Sequence, residues 1–139
     1  MNNHWTTNFP VSQEGKVEFR YSILPHGPYD EVKANRFGVE QSQPLLHLNT
    51  NSNPISQPLL EVKNDQITAV ILKSTADGKA MIMRLRSHSD KDETAKLIWL
   101  SRKPSSVYVC DRGEEAGKTE VKGEVTVPAK GFLVLRAEW

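Results

Sequence analysis

Two short acidic segments are the residues of this chain that could supply carboxylates for hydrolytic chemistry. They are Asp90-Lys91-Asp92-Glu93 and Asp111-Arg112-Gly113-Glu114-Glu115. Cleavage of a glycosidic bond normally needs two carboxyl groups beside that bond, about 5 Å or about 6.5–9.5 Å apart. Both segments lie in predicted loops at strand ends, where acidic residues commonly solvate turns. We therefore predict no catalytic residue in either segment.

The histidines and the single cysteine offer little for metal binding or nucleophilic catalysis. The histidines are His4, His26, His47 and His88. They are isolated in the sequence, and no known spacing of metal ligands is present. A cysteine nucleophile needs a lowered pKa and a base, whereas Cys110 precedes an aspartate that disfavours the thiolate. We predict no metal ligand, and we expect Cys110 to be a small buried residue.

Large aromatic residues could bind sugars if their rings were exposed. They are Trp5, Trp99 and Trp139, with Tyr21, Tyr29 and Tyr108. Such residues are more often buried in a core or between sheets than displayed as a platform. Trp99 lies between Ile98 and Leu100, which favours its burial. Sugar binding is therefore left open, with burial as the default expectation.

Charge and composition exclude several classes of partner. Among 139 residues, 18 are basic and 17 acidic, so the net charge is +1 and no nucleic-acid partner is expected. No apolar run approaches the roughly 20 residues that span a bilayer, so no membrane partner is expected. The polar N-terminus does not resemble a signal peptide, and the localisation is left open. One cysteine makes an intrachain disulfide impossible.

Alternation of apolar and polar residues predicts that strands dominate the chain. The expected strands are 17–23, 67–72, 81–86, 97–100, 107–110, 121–127 and 132–135. Asp77-Gly78 predicts a hairpin between the second and the third of these strands. Gly123 predicts a bulge in the strand at 121–127.

A single helix is predicted, from Tyr29 to Gln41. Pro28 suits a first helical turn, because the N–H that proline lacks has no partner there. Asp30 and Glu31 follow, at the end of the helix where the dipole favours acidic side chains.

A stretch rich in Asn, Ser and Pro at 48–58 is the expected boundary between two domains. About seven short strands after it have the spacing that is typical of a sandwich. Two or three strands and the helix before it would bury too little to fold alone. The predicted fold class is therefore all-β, a β-sandwich, with a front piece that packs on the back piece or on a missing partner.

The front piece resembles a known family. The residues that carry the resemblance include Asn2-Asn3-His4-Trp5, Phe19-Arg20-Tyr21-Ser22, Pro25-His26-Gly27 and Arg36-Phe37-Gly38-Val39-Glu40. They are similar to a stretch near the C-terminus of the glycoside hydrolase family 38 α-mannosidases. The segments at 71–78, 82–85, 107–111 and 127–136 resemble strands of the terminal β-sandwich of that family.

The resemblance implies that residues 1–55 are the end of a central β-sandwich domain and that residues 56–139 are a terminal, immunoglobulin-like sandwich. The Asp nucleophile and the zinc ligands of the family lie in an N-terminal α/β domain that these residues do not include. No catalytic residue, metal ligand or cofactor is therefore carried over, and zinc is expected only in the catalytic domain of the parent enzyme. One departure is Arg86-Ser87-His88, where the family pattern has an acidic residue and a glycine.

The function implied by the resemblance is that of a non-catalytic region of a retaining α-mannosidase. Its partners would be the catalytic domain of the same enzyme, α-mannoside glycans through that parent, and a second copy in a homo-oligomer. The weak candidates for substrate or interface contacts are Trp5, Tyr21, His26 and Arg36. The plainer interpretation is that Pro25-His26-Gly27 shapes a turn and that Arg36 holds the loop after it.

Two other functions stay open. A stand-alone carbohydrate-binding module predicts two or more coplanar, exposed aromatic rings. A purely structural or adhesive immunoglobulin-like domain predicts no exposed aromatic ring and only a small apolar patch. The hypothesis that the chain is one region of a larger α-mannosidase instead predicts an extensive apolar patch around Phe9, Val17, Phe19 and Tyr21.

Overall fold

One helix and then eight strands follow one another in the described part of the chain. The computed structural model describes residues 15–43, 49, 51, 57–111, 113 and 115–139. The elements are α1 (Glu31–Ser42), β1 (Leu60–Lys63), β2 (Ile67–Ser74), β3 (Ala80–Ser87), β4 (Glu93–Trp99), β5 (Ser106–Cys110), β6 (Ala116–Glu120), β7 (Glu124–Val127) and β8 (Phe132–Glu138).

The strands form two antiparallel sheets that pack into a sandwich, which confirms the predicted fold class. One sheet has the order β1-β4-β7, and the other has the order β2-β3-β8-β5-β6. Met83 and Leu85 of β3 point into the core with Leu135 of β8, and they pack with Ala95 and Val127 of the smaller sheet. Burying an aliphatic side chain of this size stabilises the fold by about 1.5–3 kcal/mol.

The predicted hairpin between β2 and β3 is confirmed. Gly78 has a φ of +68°, a left-handed conformation that glycine adopts without a steric penalty. The carboxylate of Asp77 accepts hydrogen bonds from the Thr75 hydroxyl at 2.6 Å and from the Lys79 N–H at 3.1 Å. These bonds hold the pKa of Asp77 below its ordinary value. The turn therefore fixes the register of the two longest neighbouring strands.

The single strand predicted at 121–127 is wrong. Only Glu124–Val127 forms β7, and residues 121–123 cross from the five-stranded sheet to the three-stranded sheet. Gly123, with a φ of +91°, belongs to this crossover and not to a bulge. The regular spacing of the valines continues across the crossover, so periodicity alone could not detect it.

The predicted helix is confirmed as α1, with its start two residues later. Asp30 is the N-cap, and its Oδ1 accepts a hydrogen bond from the Lys33 N–H at 3.1 Å. A capping carboxylate satisfies an N–H that has no partner inside the helix. None of the side chains of α1 is buried. Among the described residues, no helix is long and apolar enough to cross a membrane.

The strand predicted at 17–23 is wrong, because the described segment before α1 joins no sheet. Val17 and Phe19 are about half exposed, and Tyr21 and Ile23 are 80% and 87% exposed. The alternation of apolar and polar residues is that of a strand, but a strand also needs a neighbour for its backbone. Phe9 lies outside the described residues. We call residues 16–24 the front segment.

All eight described strands lie within residues 56–139. Most of the expected domain boundary at 48–58 lies outside the described residues. The division into domains 1–55 and 56–139 therefore stays a prediction.

Candidate functional site

The structure does not gather the predicted contact residues into one pocket. Tyr21 is exposed on the front segment, and Arg36 is exposed on α1. The His26 ring lies in the turn before α1, with Nδ1 placed to donate to the Gly27 carbonyl oxygen at 2.8 Å. A depression of about 360 Å³ adjoins His26, and neither Tyr21 nor Arg36 lines it. Trp5 lies outside the described residues.

The plainer interpretation of these residues is tested in part. The chain bends at Gly27 and Pro28, directly after His26. Most of the loop after α1, which Arg36 was expected to hold, lies outside the described residues.

A polar cluster that the sequence did not predict joins α1 to the sandwich. Glu31 Oε1 lies 3.3 Å from His88 Nδ1, and Glu31 Oε2 lies 2.7 Å from Lys130 Nζ. The other ring nitrogen of His88 lies 3.1 Å from the Thr68 hydroxyl oxygen. Lys130 Nζ also donates to the His88 carbonyl oxygen at 2.7 Å. We call Glu31, Thr68, His88 and Lys130 the α1 clasp.

Local backbone structure positions each member of the α1 clasp. Glu31 is the first residue of α1, directly after the N-cap. His88 follows β3, and its N–H donates to the Gln66 carbonyl oxygen at 2.8 Å. Lys130 lies in the turn before β8 with a φ of 50°, and its N–H donates to the Ser89 carbonyl oxygen at 2.9 Å. Thr68 is the second residue of β2, so the clasp joins four elements, α1, β2, β3 and β8.

The electrostatics of the α1 clasp favour its ionised form. Hydrogen bonds from Lys130, and then from His88, hold the pKa of Glu31 below its ordinary value. The Glu31 carboxylate in turn raises the pKa of Lys130, with a smaller contribution from Asp90, whose oxygen lies 3.4 Å away. The Arg86 guanidinium lies 3.9 Å from Glu31 and adds a second positive group beside Lys130. Glu31 and Lys130 therefore stay paired through the neutral pH range.

Glu31, His88 and Thr68 stand in the order of an acid–imidazole–hydroxyl relay. With Glu31 ionised, His88 Nδ1–H donates to its carboxylate, and Nε2 lies within hydrogen-bond distance of the Thr68 hydroxyl. In such a relay the hydroxyl is the nucleophile and the imidazole is its base, and both must be accessible to the substrate. The His88 side chain is only 1% exposed. Thr68 lines neither the depression near His26 nor either groove on the sandwich. The geometry is that of a structural tie between α1 and the sandwich.

The acidic segments make loop contacts. Asp92 Oδ1 accepts a hydrogen bond from the Ala129 N–H at 2.9 Å. Asp111 Oδ1 accepts one from the Gly113 N–H at 2.7 Å. Cys110 is buried and is not part of a disulfide. Within the described ranges, no group of three His, Cys, Asp or Glu side chains is placed to hold a metal ion.

A groove of about 650 Å³ lies where β4 extends beyond its neighbour β7. The pairing of these two strands ends at Lys96, and the Leu97 N–H then donates to the Gly123 carbonyl oxygen at 2.9 Å. The lining consists of residues 96–99, 103–107 and 120–123. We call this opening the β4 groove.

Trp99, in the wall of the β4 groove, packs against Trp139. Their ring centroids lie 5.8 Å apart, and their planes meet at 88°. The guanidinium carbon of Arg102 lies 5.7 Å from the Trp139 ring centroid. Both tryptophans are half-buried. Because the rings are perpendicular, they do not form the coplanar platform that a carbohydrate-binding module predicts.

A second groove, of about 680 Å³, lies on the outer face of the five-stranded sheet. Arg84, Phe132 and Val134 contribute to its lining. Arg86 lies beside it, with its guanidinium carbon 5.8 Å from the centroid of the half-exposed Phe132 ring. This face therefore combines apolar and cationic side chains.

Comparisons of the chain with protein families, with curated proteins and with solved structures gave no match. The resemblance to family 38 α-mannosidases therefore stays a prediction that depends on the residues quoted for it.

Sequence reasoning missed the α1 clasp for a geometric reason. Its contacts join residues that are 20, 57 and 99 positions apart. No spacing rule for a helix or a strand reaches that far. The one available indication was Arg86-Ser87-His88, the departure from the family pattern, because His88 is the residue on which the clasp converges.

Proposed function

We propose that this chain is the non-catalytic C-terminal β-sandwich region of a family 38 α-mannosidase and that it completes the larger enzyme. The observation that carries the proposal is the front segment. Its apolar residues Val17, Phe19, Tyr21 and Ile23 are all exposed, at alternate positions of a segment that joins no described sheet. Contiguous apolar surface of this kind marks a site of contact with other protein. On this proposal, the front segment would become a strand only when it pairs with a sheet in another part of the enzyme.

The opposite side of the front segment suits solvent. Glu18 and Arg20 form an ion pair with a distance of 3.1 Å and remain largely exposed. The Ser22 hydroxyl donates to the Gln41 side chain of α1 at 2.9 Å. A segment with one apolar side and one polar side buries the first in a sheet and leaves the second wet. The apolar side chains at 17–23 are thus the expected contact with the parent enzyme.

The α1 clasp has a defined role in this arrangement. Residues 25–30 connect the front segment to α1, and Glu31 ties the start of α1 to His88 and Lys130 of the sandwich. The clasp thereby limits the positions that the front segment can take. Holding a binding segment near one orientation lowers the entropy that is lost when it docks.

The parent enzyme would carry the chemistry. Its catalytic domain would hydrolyse α-mannosides through a covalent glycosyl-enzyme intermediate and would hold the zinc ion. This chain would contribute the sandwich that supports that domain, and Tyr21 would lie in the contact between them. α-Mannoside glycans would reach the chain only as part of the whole enzyme.

The experiment starts from the gene and ends with binding. The reading frame upstream of Met1 is expected to encode an α/β domain and the rest of the central β-sandwich domain. This upstream polypeptide is purified separately and mixed with this chain in a sedimentation experiment. We expect a complex, and we expect the double substitution Phe19→Ser with Tyr21→Ser to weaken it at least about tenfold. The matched control, Glu18→Ser with Arg20→Ser, alters the solvated side and is expected to bind normally. Hydrolysis of an aryl α-mannoside by the chain alone with zinc would refute the non-catalytic role.

The alternative, a stand-alone carbohydrate-binding module, depends on Tyr21 and Tyr29. Both tyrosines are largely exposed, at 80% and 72%, so they are the described aromatic rings best placed to meet a sugar. The alternative predicts that the isolated chain is retained on immobilised mannan and that Tyr21→Ser abolishes this retention. That result would favour a carbohydrate-binding module over a region of a larger enzyme.

A further inference from the structure

The β4 groove gathers positive charge from three separate elements. Lys96 belongs to β4, Lys103 to the loop before β5, and Lys122 to the crossover before β7. All three side chains are exposed, and within the described residues none of them forms an ion pair. Glu120 is the only acidic residue in the lining. The groove therefore favours a ligand that carries negative charge.

The wall of the β4 groove also offers an open backbone donor. The Leu97 N–H donates to Gly123 on the side of β7, whereas the Leu100 N–H donates to Leu59 on the side of β1. Alternate residues of a strand direct their N–H groups to the same side, so the Trp99 N–H points to the side of Leu97. β7 does not extend as far as Trp99, and no described residue accepts a hydrogen bond from this N–H. One open residue suits an oxygen of a small ligand and is too short for an added strand.

The remaining lining provides surface for a ring. Trp99 presents a half-buried indole, and Val107 and Val121 add apolar area beside it. The volume of about 650 Å³ falls within the range of small-ligand sites. Lysine binds phosphate as a point charge, and aromatic rings pack against the apolar face of a sugar.

We propose that the β4 groove binds a sugar that carries a phosphate or sulfate group. The charged group lies among Lys96, Lys103 and Lys122 and accepts a hydrogen bond from the backbone N–H of Trp99. The sugar ring lies against the Trp99 indole. This binding does not depend on the function proposed above, because it uses the sandwich and not the front segment.

Isothermal titration calorimetry of the full chain tests the proposal. The probes are glucose 6-phosphate, glucose 6-sulfate, glucose and inorganic phosphate. We expect both charged sugars to bind at least about tenfold more tightly than glucose or inorganic phosphate, and to bind more weakly as the ionic strength rises. In an amide spectrum, the Trp99 N–H is expected to shift with the charged sugars.

Two double variants, each of which reverses two lysine charges, serve as the test and the control. Lys103→Glu with Lys122→Glu is expected to weaken binding of glucose 6-phosphate at least about tenfold. Lys16→Glu with Lys79→Glu changes the net charge equally at exposed positions outside the groove and is expected to bind like the original chain. Equal loss in both pairs, equal binding of inorganic phosphate, or binding of an acidic peptide but not of the sugars would overturn the proposal. Thermal unfolding of both pairs verifies that they fold.

Discussion

At the scale of single residues, His88 is where the contacts between α1 and the sandwich converge. Its ring is buried, and both ring nitrogens have partners, Glu31 on one side and Thr68 on the other. A buried imidazole that lost either partner would leave a polar nitrogen without a hydrogen bond, at a cost of about 1–3 kcal/mol. The sequence marked His88 as unusual but could not name its partners, because a contact over 57 residues follows from the fold alone.

The α1 clasp predicts a pH dependence that is centred on Glu31 and Lys130. The pKa of Glu31 is depressed, so its contribution is complete above the ordinary glutamate value of about 4.3 and is lost as the pH falls through the lower folded value. The pKa of Lys130 is raised, so its contribution is complete below the ordinary lysine value of about 10.4 and is lost as the pH rises through the higher folded value. The clasp is therefore strongest between these limits.

Glu31→Gln tests the α1 clasp at neutral pH. The variant removes the charge that Lys130 and His88 share, so the amide order parameters of α1 are expected to fall from about 0.85 toward about 0.6, the range of flexible backbone. The original chain is expected to show the same loosening at acid pH. Glu40→Gln, an exposed position on α1, is the matched control and should leave the order parameters unchanged. Equal order parameters in all three proteins at neutral pH would contradict the role of the clasp.

At the scale of elements, the sequence predicted the turns and helices whose determinants are local. The hairpin between β2 and β3 follows from Asp77-Gly78, and α1 follows from the acidic residues at its start. The sequence did not predict β6, because Gly117 and its neighbours lack apolar alternation. β6 forms because β5 supplies its hydrogen-bonding partner, which is a tertiary effect that overrides propensity.

Gly117 is the position at which the pairing of β5 and β6 is most sensitive to substitution. A Cβ added there would clash with the Val109 carbonyl oxygen, a backbone atom that cannot move without shifting β5. Gly117→Ala is therefore expected to lower the free energy of unfolding by about 1–3 kcal/mol, as measured by urea denaturation. Gly27→Ala is the control, because nothing lies within 4 Å of its added Cβ. Identical unfolding midpoints for the two variants would contradict the observed register.

At the scale of the whole molecule, the chain combines a two-sheet sandwich with a front segment that joins neither of the described sheets. Periodicity predicted the sandwich class correctly, because most of its strands bury their apolar sides, but it missed β1 and β6. The same periodicity at 17–23 predicted a strand that the described structure does not contain. A period of two shows that a segment is suited to a sheet, but it does not show that the sheet belongs to the same chain.

Hydrogen exchange along the backbone tests the central claim most directly, when it is measured for the chain alone and with the polypeptide encoded upstream of it. For the chain alone, amides at 17–23 are expected to exchange as in an unstructured peptide, while those of β3 and β8 are the slowest. Adding the upstream polypeptide is expected to protect 17–23 and to leave β3 and β8 unchanged. If 17–23 were as protected as β3 in the chain alone, the front segment would already have its sheet, and the proposal of a larger enzyme would be contradicted.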